Sequence, residues 1–374
     1  MSPPDPGDRR IALLLPCFWP EVRRGGERIV HELGTGLARA GWEPRLITSH
    51  PGRGSLSRED GLEIVRVRRP LAARVARRGY EDHLTHVPLA AAALARGDEA
   101  LAHAFHPGDG VAAAWWGARR RRPVVFTYLG IPYRSFLVAR RLRLEATHRA
   151  ARGADAVTAL SRTAADAFWH TLGIRARVIY PGVDVARFCP GPGRAEHPTI
   201  FCAAPPDAPM KRVDLLVAAV ARLRRRRRDI RLVLLRPAEP ALAASLAREP
   251  WIELRDPVQA PEALAPAYRE AWVTALPSRG DSFGLVLAES LACGTPVVGS
   301  RLGAIPEVVD RPEIGRLFDD GAAADLDRAL EEGLELSEAP ATPAACRARG
   351  EEFSVARNVA QHEALYTELL DRRG

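Results

Sequence analysis

The 374-residue chain has five cysteines, Cys17, Cys189, Cys202, Cys293 and Cys346, and no two of them form a CxxC pair. An odd count without a spacing framework argues against a disulfide scaffold and for reduced thiols, so a cytoplasmic protein is expected. A run of about 18 apolar residues, the length that spans a bilayer, is absent. Residues 1–10 are rich in proline and charge and lack an apolar stretch, so no signal peptide is expected either. The nucleotide signatures GxGxxG and GxxxxGK[ST] are also absent, which counts against nicotinamide or flavin enzymes and P-loop proteins. His103 and His106 stand three apart, but no nearby Cys or Glu completes a ligand set, so no metal site is expected. Lysine is almost missing: Lys211 is the only one, and every other residue in the Lys+Arg total of 54 is arginine.

What is present suits a folded, two-domain protein. Hydrophobic residues make up 47% and charged residues 27%, close to globular averages, and the length calls for two cores rather than one. The net charge of +8 points to anionic partners. Much of it lies in the arginine tracts 119–122 and 224–228, each following a helical pattern and preceding an apolar strand. Cations there complement a helix C-terminus and stay solvated. Without aromatic side chains interleaved among them they predict no nucleic-acid binding.

Strand and helix signals alternate. Strands are predicted at 11–15, 44–48, 62–67, 124–128, 156–160 and 177–179, with helices at 28–40, 86–95, 136–152 and 162–171. Residues 180–194 read YPGVDVARFCPGPGR, dense in proline and glycine, and are read as a linker. Alternation then resumes, with strands at 199–203, 230–235, 252–255, 273–276 and 295–299 and helices at 212–224, 242–248, 261–270 and 283–293; residues 354–370 form one amphipathic helix. Such a pattern predicts mostly parallel sheets covered on both faces.

The most informative segment is 276–300, LPSRGDSFGLVLAESLACGTPVVGS. It reads as a strand end, a loop and a helix, and the carboxyl edge of a parallel sheet is where ligands bind. Glu289 lies in a helix apolar on nearly all sides, so its carboxylate faces the interior or a cleft and needs a partner, either ribose or sugar hydroxyls or groups of the fold itself. Asp281 and Ser282 stand where a helix cap belongs, and capping alone would account for Asp281. The solitary Lys211, at a helix start after a strand, suits a phosphate that prefers a point charge to a planar fork. Gly25 and Gly26, in a loop opening the first helix, let a phosphate or an acceptor approach the backbone.

These residues resemble the family-4 retaining glycosyltransferases with the GT-B fold. Gly25-Gly26-Glu27-Arg28 is similar to the family's N-terminal glycine loop, Pro181-Gly182-Val183-Asp184 with Arg187-Phe188 to its interdomain segment, Lys211 with Val213-Asp214 to its phosphate site, and residues 277–296 to its donor signature. Leu302-Gly303-Ala304-Ile305-Pro306-Glu307 and the closing Phe353-Ser354 helix also fit. The resemblance implies two Rossmann-like domains with parallel sheets facing across a cleft: an acceptor-side domain at 1–182, a nucleotide-sugar domain at 183–352, and a C-terminal helix, 353–374, packing back on the first. It implies transfer of a sugar from a nucleotide-diphosphate donor to an acceptor hydroxyl, with retention and without metal or other cofactor. Glu289 would bind the donor ribose and Lys211 the diphosphate, while Asp281 with the backbone of Ser282, Phe283 and Gly284, beside Leu285, would hold the sugar. The chain departs from the family in three places: Asp281 replaces a glutamate, an arginine before the lysine is missing, with Arg212 as its substitute, and Leu129 stands where a sugar-binding histidine is usual. Leu129 predicts a donor sugar lacking a hydroxyl. The alternatives are a catalytically impaired sugar-nucleotide-binding protein and a GT-B sugar-nucleotide epimerase. The acceptor, whether glycan, lipid or small molecule, is not written in the sequence, and without an amphipathic anchor a soluble or loosely peripheral protein is expected.

Overall fold

The computed structural model describes residues 9–81, 83–257 and 261–372. The proline-rich start read at 1–10 therefore lies almost wholly outside the described residues. The chain forms two compact units, Met1–Gly182 with Val355–Gly374, and Val183–Ser354.

Unit 1 begins with β1 (Arg10–Leu14), α1 (Gly25–Arg39), β2 (Glu43–His50), β3 (Ser55–Glu59), β4 (Leu62–Arg68), α2 (Ala72–Arg77) and α3 (Val87–Ala95). It continues through β5 (Leu101–Ala104), α4 (Pro107–Arg120), β6 (Val124–Tyr128), α5 (Arg134–Leu137), α6 (Arg143–Gly153), β7 (Ala156–Ala159), α7 (Arg162–Leu172) and β8 (Arg177–Val178). The strands form one sheet in the order β3-β4-β2-β1-β5-β6-β7-β8, parallel except for β3. In β1 and just beyond it, Ala12 and Leu14 face a core with Trp116, Phe126 and Phe168, while Ile11, Leu13 and Leu15 face a second core with Leu33 and Leu37. This two-sided burial is why the strand reads as an unbroken apolar run.

Unit 2 comprises β9 (Thr199–Cys202), α8 (Val213–Leu223), β10 (Arg231–Leu235), α9 (Pro240–Leu246), β11 (Ile252–Arg255), α10 (Ala265–Glu270), β12 (Val273–Leu276) and α11 (Leu285–Ala292). After these come β13 (Val297–Ser300), α12 (Ile305–Val308), β14 (Gly315–Phe318), α13 (Ala323–Leu336) and α14 (Thr342–Glu351). Its sheet is wholly parallel, in the order β11-β10-β9-β12-β13-β14. The last helix, α15 (Val355–Asp371), returns to unit 1 and packs on α1, where a Cβ on Gly36 would stand 2.5 Å from Val359. Trp42 donates its indole N–H to Glu363 at 2.9 Å, and the Tyr366 hydroxyl meets His103 Nδ1 at 2.7 Å. Among the described residues, no helix is long and apolar enough to cross a membrane.

The structure corrects several elements. The helix expected at 136–152 breaks into α5 and α6, because Leu142 adopts the left-handed conformation (φ 65°). The segment 180–194 is not a free linker: the units divide after Gly182, Val183 donates its backbone N–H to Phe353 O at 2.7 Å, and Phe188 is buried. Strand β3, with the exposed sequence SLSRE, offers no apolar run to read, and β5 and β14 were not foreseen either.

Candidate functional site

In each sheet the strand order reverses once, between β1 and β5 in unit 1 and between β9 and β12 in unit 2. Loops leaving the two central strands in opposite directions open a crevice at the carboxyl edge, the ordinary ligand position in such sheets. In unit 2 those loops carry Lys211, after β9, and Asp281, after β12.

The loop after β9 ends in a short turn, Pro209–Lys211, and then Arg212 in the left-handed conformation (φ 51°) caps α8. The loop after β12 is tied to it: Arg279 N–H donates to Met210 O at 2.9 Å, and the Ser278 hydroxyl donates to the same carbonyl at 3.2 Å. Lys211 Nζ thereby lies 2.8 and 3.0 Å from the two Asp281 oxygens. Both side chains keep partial exposure, 28% for Lys211 and 18% for Asp281, so the pair stands at a surface a ligand can reach. Asp281 is held from the far side as well. Its carbonyl accepts the Ala304 N–H at 3.0 Å, and Gly303 (φ 60°) passes so near that a Cβ there would come 2.7 Å from the same oxygen.

Beside this pair, Arg212 and Arg279 share the carboxylate of Asp320, Arg279 Nε at 3.1 Å. Burial would raise the Asp320 carboxyl, but the two guanidiniums outweigh it and hold it below its ordinary range. The edge thus carries three cations and two carboxylates. Asp320, just beyond the four-residue strand β14, was missed by the sequence reading, as was Arg279, although it lies inside the signature segment.

Helix α11 starts after Gly284 (φ 94°), a position that side chains avoid, so Leu285 is its first residue. The N-cap position is Gly284, and the Asp281 carboxylate is engaged by Lys211, which sets aside capping alone as the account of Asp281. Phe283 turns inward, 2% exposed, its ring edge-on to Phe353 at 5.0 Å. Glu289 faces the interior rather than a cleft. It is fully buried and accepts the Tyr268 hydroxyl at 2.8 Å. Tyr268, also fully buried, packs edge-on to Phe201 and Phe188. It was not foreseen, because nothing in PAYRE marks a tyrosine as a carboxylate's partner.

Gly25 and Gly26 lie in unit 1 and form the first turn of α1 rather than a loop before it. Glu27 accepts the Arg24 N–H at 3.0 Å, closing that turn, and takes the Cys17 thiol at 3.2 Å. Burial first and the Glu27 carboxylate second push that thiol up to about 12, so Cys17 stays protonated. Space around Gly25 is open, whereas a Cβ on Gly26 would meet Leu129 Cδ1 at 3.0 Å. His103 is fully buried in β5 between Tyr366 and Thr127, and His106 caps α4. Among the described residues no group of three His, Cys, Asp or Glu is placed to hold a metal.

Two family models match the chain: Glycosyltransferase Family 4 over residues 23–187, and Glycosyl transferases group 1 over residues 197–335. A D-inositol 3-phosphate glycosyltransferase from Kineococcus radiotolerans is 39% identical over 171 residues, 39% of this chain and 37% of that protein. One of the same name from a Mycobacterium species is 36% identical over 185 residues, 45% of this chain and 41% of that protein. The chain thus spans about two fifths of the length of the curated relatives it matches. Among solved structures, a sucrose-phosphate synthase from Thermosynechococcus elongatus aligns over 97% of this chain and 99% of its own, with a TM-score of 0.79 and 22% identity. An Anabaena protein in complex with UDP-glucose aligns over 96% and 100%, with a TM-score of 0.75 and 19% identity.

Proposed function

The chain belongs to the glycosyltransferases of the family-4 and group-1 type with the GT-B fold, and on that premise we propose that it transfers a sugar from a nucleotide-diphosphate donor to an acceptor hydroxyl, with retention and without a metal. The observation that carries the reading is the Lys211–Asp281 pair at the strand-order reversal of unit 2, beside the start of α11. A diphosphate arriving there competes with Asp281 for the ammonium group, and the released carboxylate accepts hydroxyls of the sugar. Lys211, with Arg212 and Arg279 close by, supplies fixed positive charge for the leaving diphosphate, a task otherwise given to a metal ion. The acceptor oxygen bonds to the anomeric carbon on the face the diphosphate leaves; the carbon–phosphate oxygen bond breaks, and the acceptor's proton passes to the departing phosphate. No protein nucleophile takes part. The five free thiols fit a cytoplasmic setting.

Glu289 is assigned to the donor ribose. In the molecule as it stands the Tyr268 hydroxyl donates to one oxygen of that carboxylate, Oε2, and a carboxylate has acceptor capacity beyond one such bond for ribose hydroxyls. Calorimetry with UDP, GDP, ADP and dTDP in the presence of a chelator tests the reading. One nucleotide is expected to bind, with Lys211→Ala and Glu289→Ala each weakening it by ~10-fold or more, the worth of a charge-assisted hydrogen bond. UDP is the first choice, given the Anabaena complex. Loss with Lys211→Ala alone would make Glu289 a structural partner of Tyr268. No binding by any nucleotide would overturn the proposal. Binding without transfer to any acceptor would favour an impaired binding protein, and a product isomeric with the donor would favour an epimerase.

A further inference from the structure

Two stretches of unit 1, the residues following β4 and those following β6, expose large apolar side chains, although the Arg143 guanidinium lies over the Phe136 ring at 4.2 Å. Helix α2 buries none of its residues, and Leu71, which precedes it, is 64% exposed. Across from it Phe136, Val138 and Leu142 are 52%, 55% and 57% exposed, and Tyr133 is exposed as well. The stretches are joined: Arg141 donates its backbone N–H to Gly79 O at 2.8 Å and lays its guanidinium over the Tyr80 ring at 5.6 Å. Leu84 and Leu142 line one shallow hollow between them.

Leu71 and Leu142 both take the left-handed conformation, with φ of 57° and 65°. Glycine or asparagine is the ordinary occupant of that region, and leucine there adds a backbone cost to the cost of an apolar side chain in water. Two such leucines on one face indicate that the face is covered in use.

The charge around them is predominantly positive. Residues 71–82 and 133–145 hold seven arginines and three acids, Glu81, Asp82 and Glu145. Glu81 is taken by Arg143, and Arg74, Arg77, Arg78, Arg134, Arg140 and Arg141 pair with no carboxylate among the described residues. Arginines interleaved with leucine, valine and phenylalanine match an anionic lipid surface, where the aliphatic chains enter the acyl boundary and the guanidiniums meet phosphate headgroups. Nucleic acid would use the cations and rings but not Leu71, Val138 or Leu142. Strands β4 and β6 run parallel to β1, so the patch lies on the same sheet edge as Gly25, Gly26 and Leu129.

We infer that this face docks unit 1 on an anionic bilayer, bringing that edge to the membrane surface where a lipid-borne acceptor would lie. The inference rests on the patch and not on the donor chemistry, so either can fail alone. The sequence shows no anchor because none is contiguous: the two halves lie more than fifty residues apart and meet only in the fold.

Flotation of the full chain with phosphatidylcholine vesicles, with and without a quarter of phosphatidylglycerol, at physiological ionic strength is the test. The protein is expected to float with the anionic vesicles only. Phe136→Ser with Leu142→Asn, and separately Arg77→Glu with Arg78→Glu, should each lower the bound fraction ~10-fold, while far-UV circular dichroism and nucleotide binding stay unchanged. The inference is overturned if the protein stays unbound, if it floats equally with neutral vesicles, or if both folded variants float like the wild type. It is equally overturned if the protein sediments as a dimer that the apolar pair of substitutions splits, for then a second copy covers the face.

Discussion

Leu129 is where one side chain has the most to say about specificity. Its Cδ1 lies against Gly26, in the first turn of α1, so the position filled by a histidine in the family pattern offers methyl groups and no hydrogen bond. An apolar wall tolerates a missing hydroxyl and penalises an unsatisfied one. The wild type is expected to turn over 6-deoxy or pentose donors at least as fast as the parent hexose, and Leu129→His to shift that ratio ~10-fold towards the hexose. A donor panel measured as kcat/KM checks it, and a wild type strongly preferring the hexose would contradict it. Lys211 could be named from the sequence because it is the chain's single lysine, and Asp281 through the family resemblance. That they bind each other could not, since it depends on two loops seventy residues apart being tied through Met210 O.

Among the elements, α15 depends on the acidity of the medium. His362 donates Nδ1–H to Asn358 O at 2.9 Å, and burial pushes its pKa down to about 4. His103, which faces the same helix through Tyr366, is pushed well below its ordinary value by burial and then by His362. A histidine kept neutral in the folded state and titrating near 6.5 when unfolded contributes stability in full above pH 6.5, and loses it as pH falls towards about 4. For His362 the loss is on the order of 3 kcal/mol. His86 has the opposite sign. Burial would lower it, but the Asp109 carboxylate at 2.7 Å and the His83 carbonyl raise it on balance, so its contribution is whole below pH 6.5 and fades above. Urea melts followed by tryptophan fluorescence should show wild-type stability falling between pH 6.5 and 4.5 and His362→Gln falling less; parallel slopes would refute the assignment. The helices were legible where an apolar stripe was long, as in α1, α8 and α15. They were not where a left-handed residue such as Leu142 interrupts a continuous pattern, because periodicity carries no information about φ.

At the scale of the molecule, the alternation of strands and helices announced parallel sheets, and the strand orders answer that expectation in both units. The return of α15 to unit 1 was known only through the family resemblance, since an amphipathic pattern does not say which core it covers. In the structure Val359, Leu365, Tyr366 and Leu369 complete the apolar layer over Leu33 and Leu37. A chain ending at Ser354 should therefore expose that layer. It is expected to bind a hydrophobic dye and aggregate, whereas a truncated chain melting like the full one would show that α15 is dispensable.

The same return sets an order in time. A ribosome releases the first 182 residues of unit 1, then the whole of Val183–Ser354, and only afterwards the helix that closes the earlier half. The part synthesised first is completed last, and unit 2, whose two ends meet where Val183 bridges Ser354, can finish folding while its predecessor still waits. During that interval the uncovered layer of unit 1 is the portion of the nascent chain that a chaperone would hold.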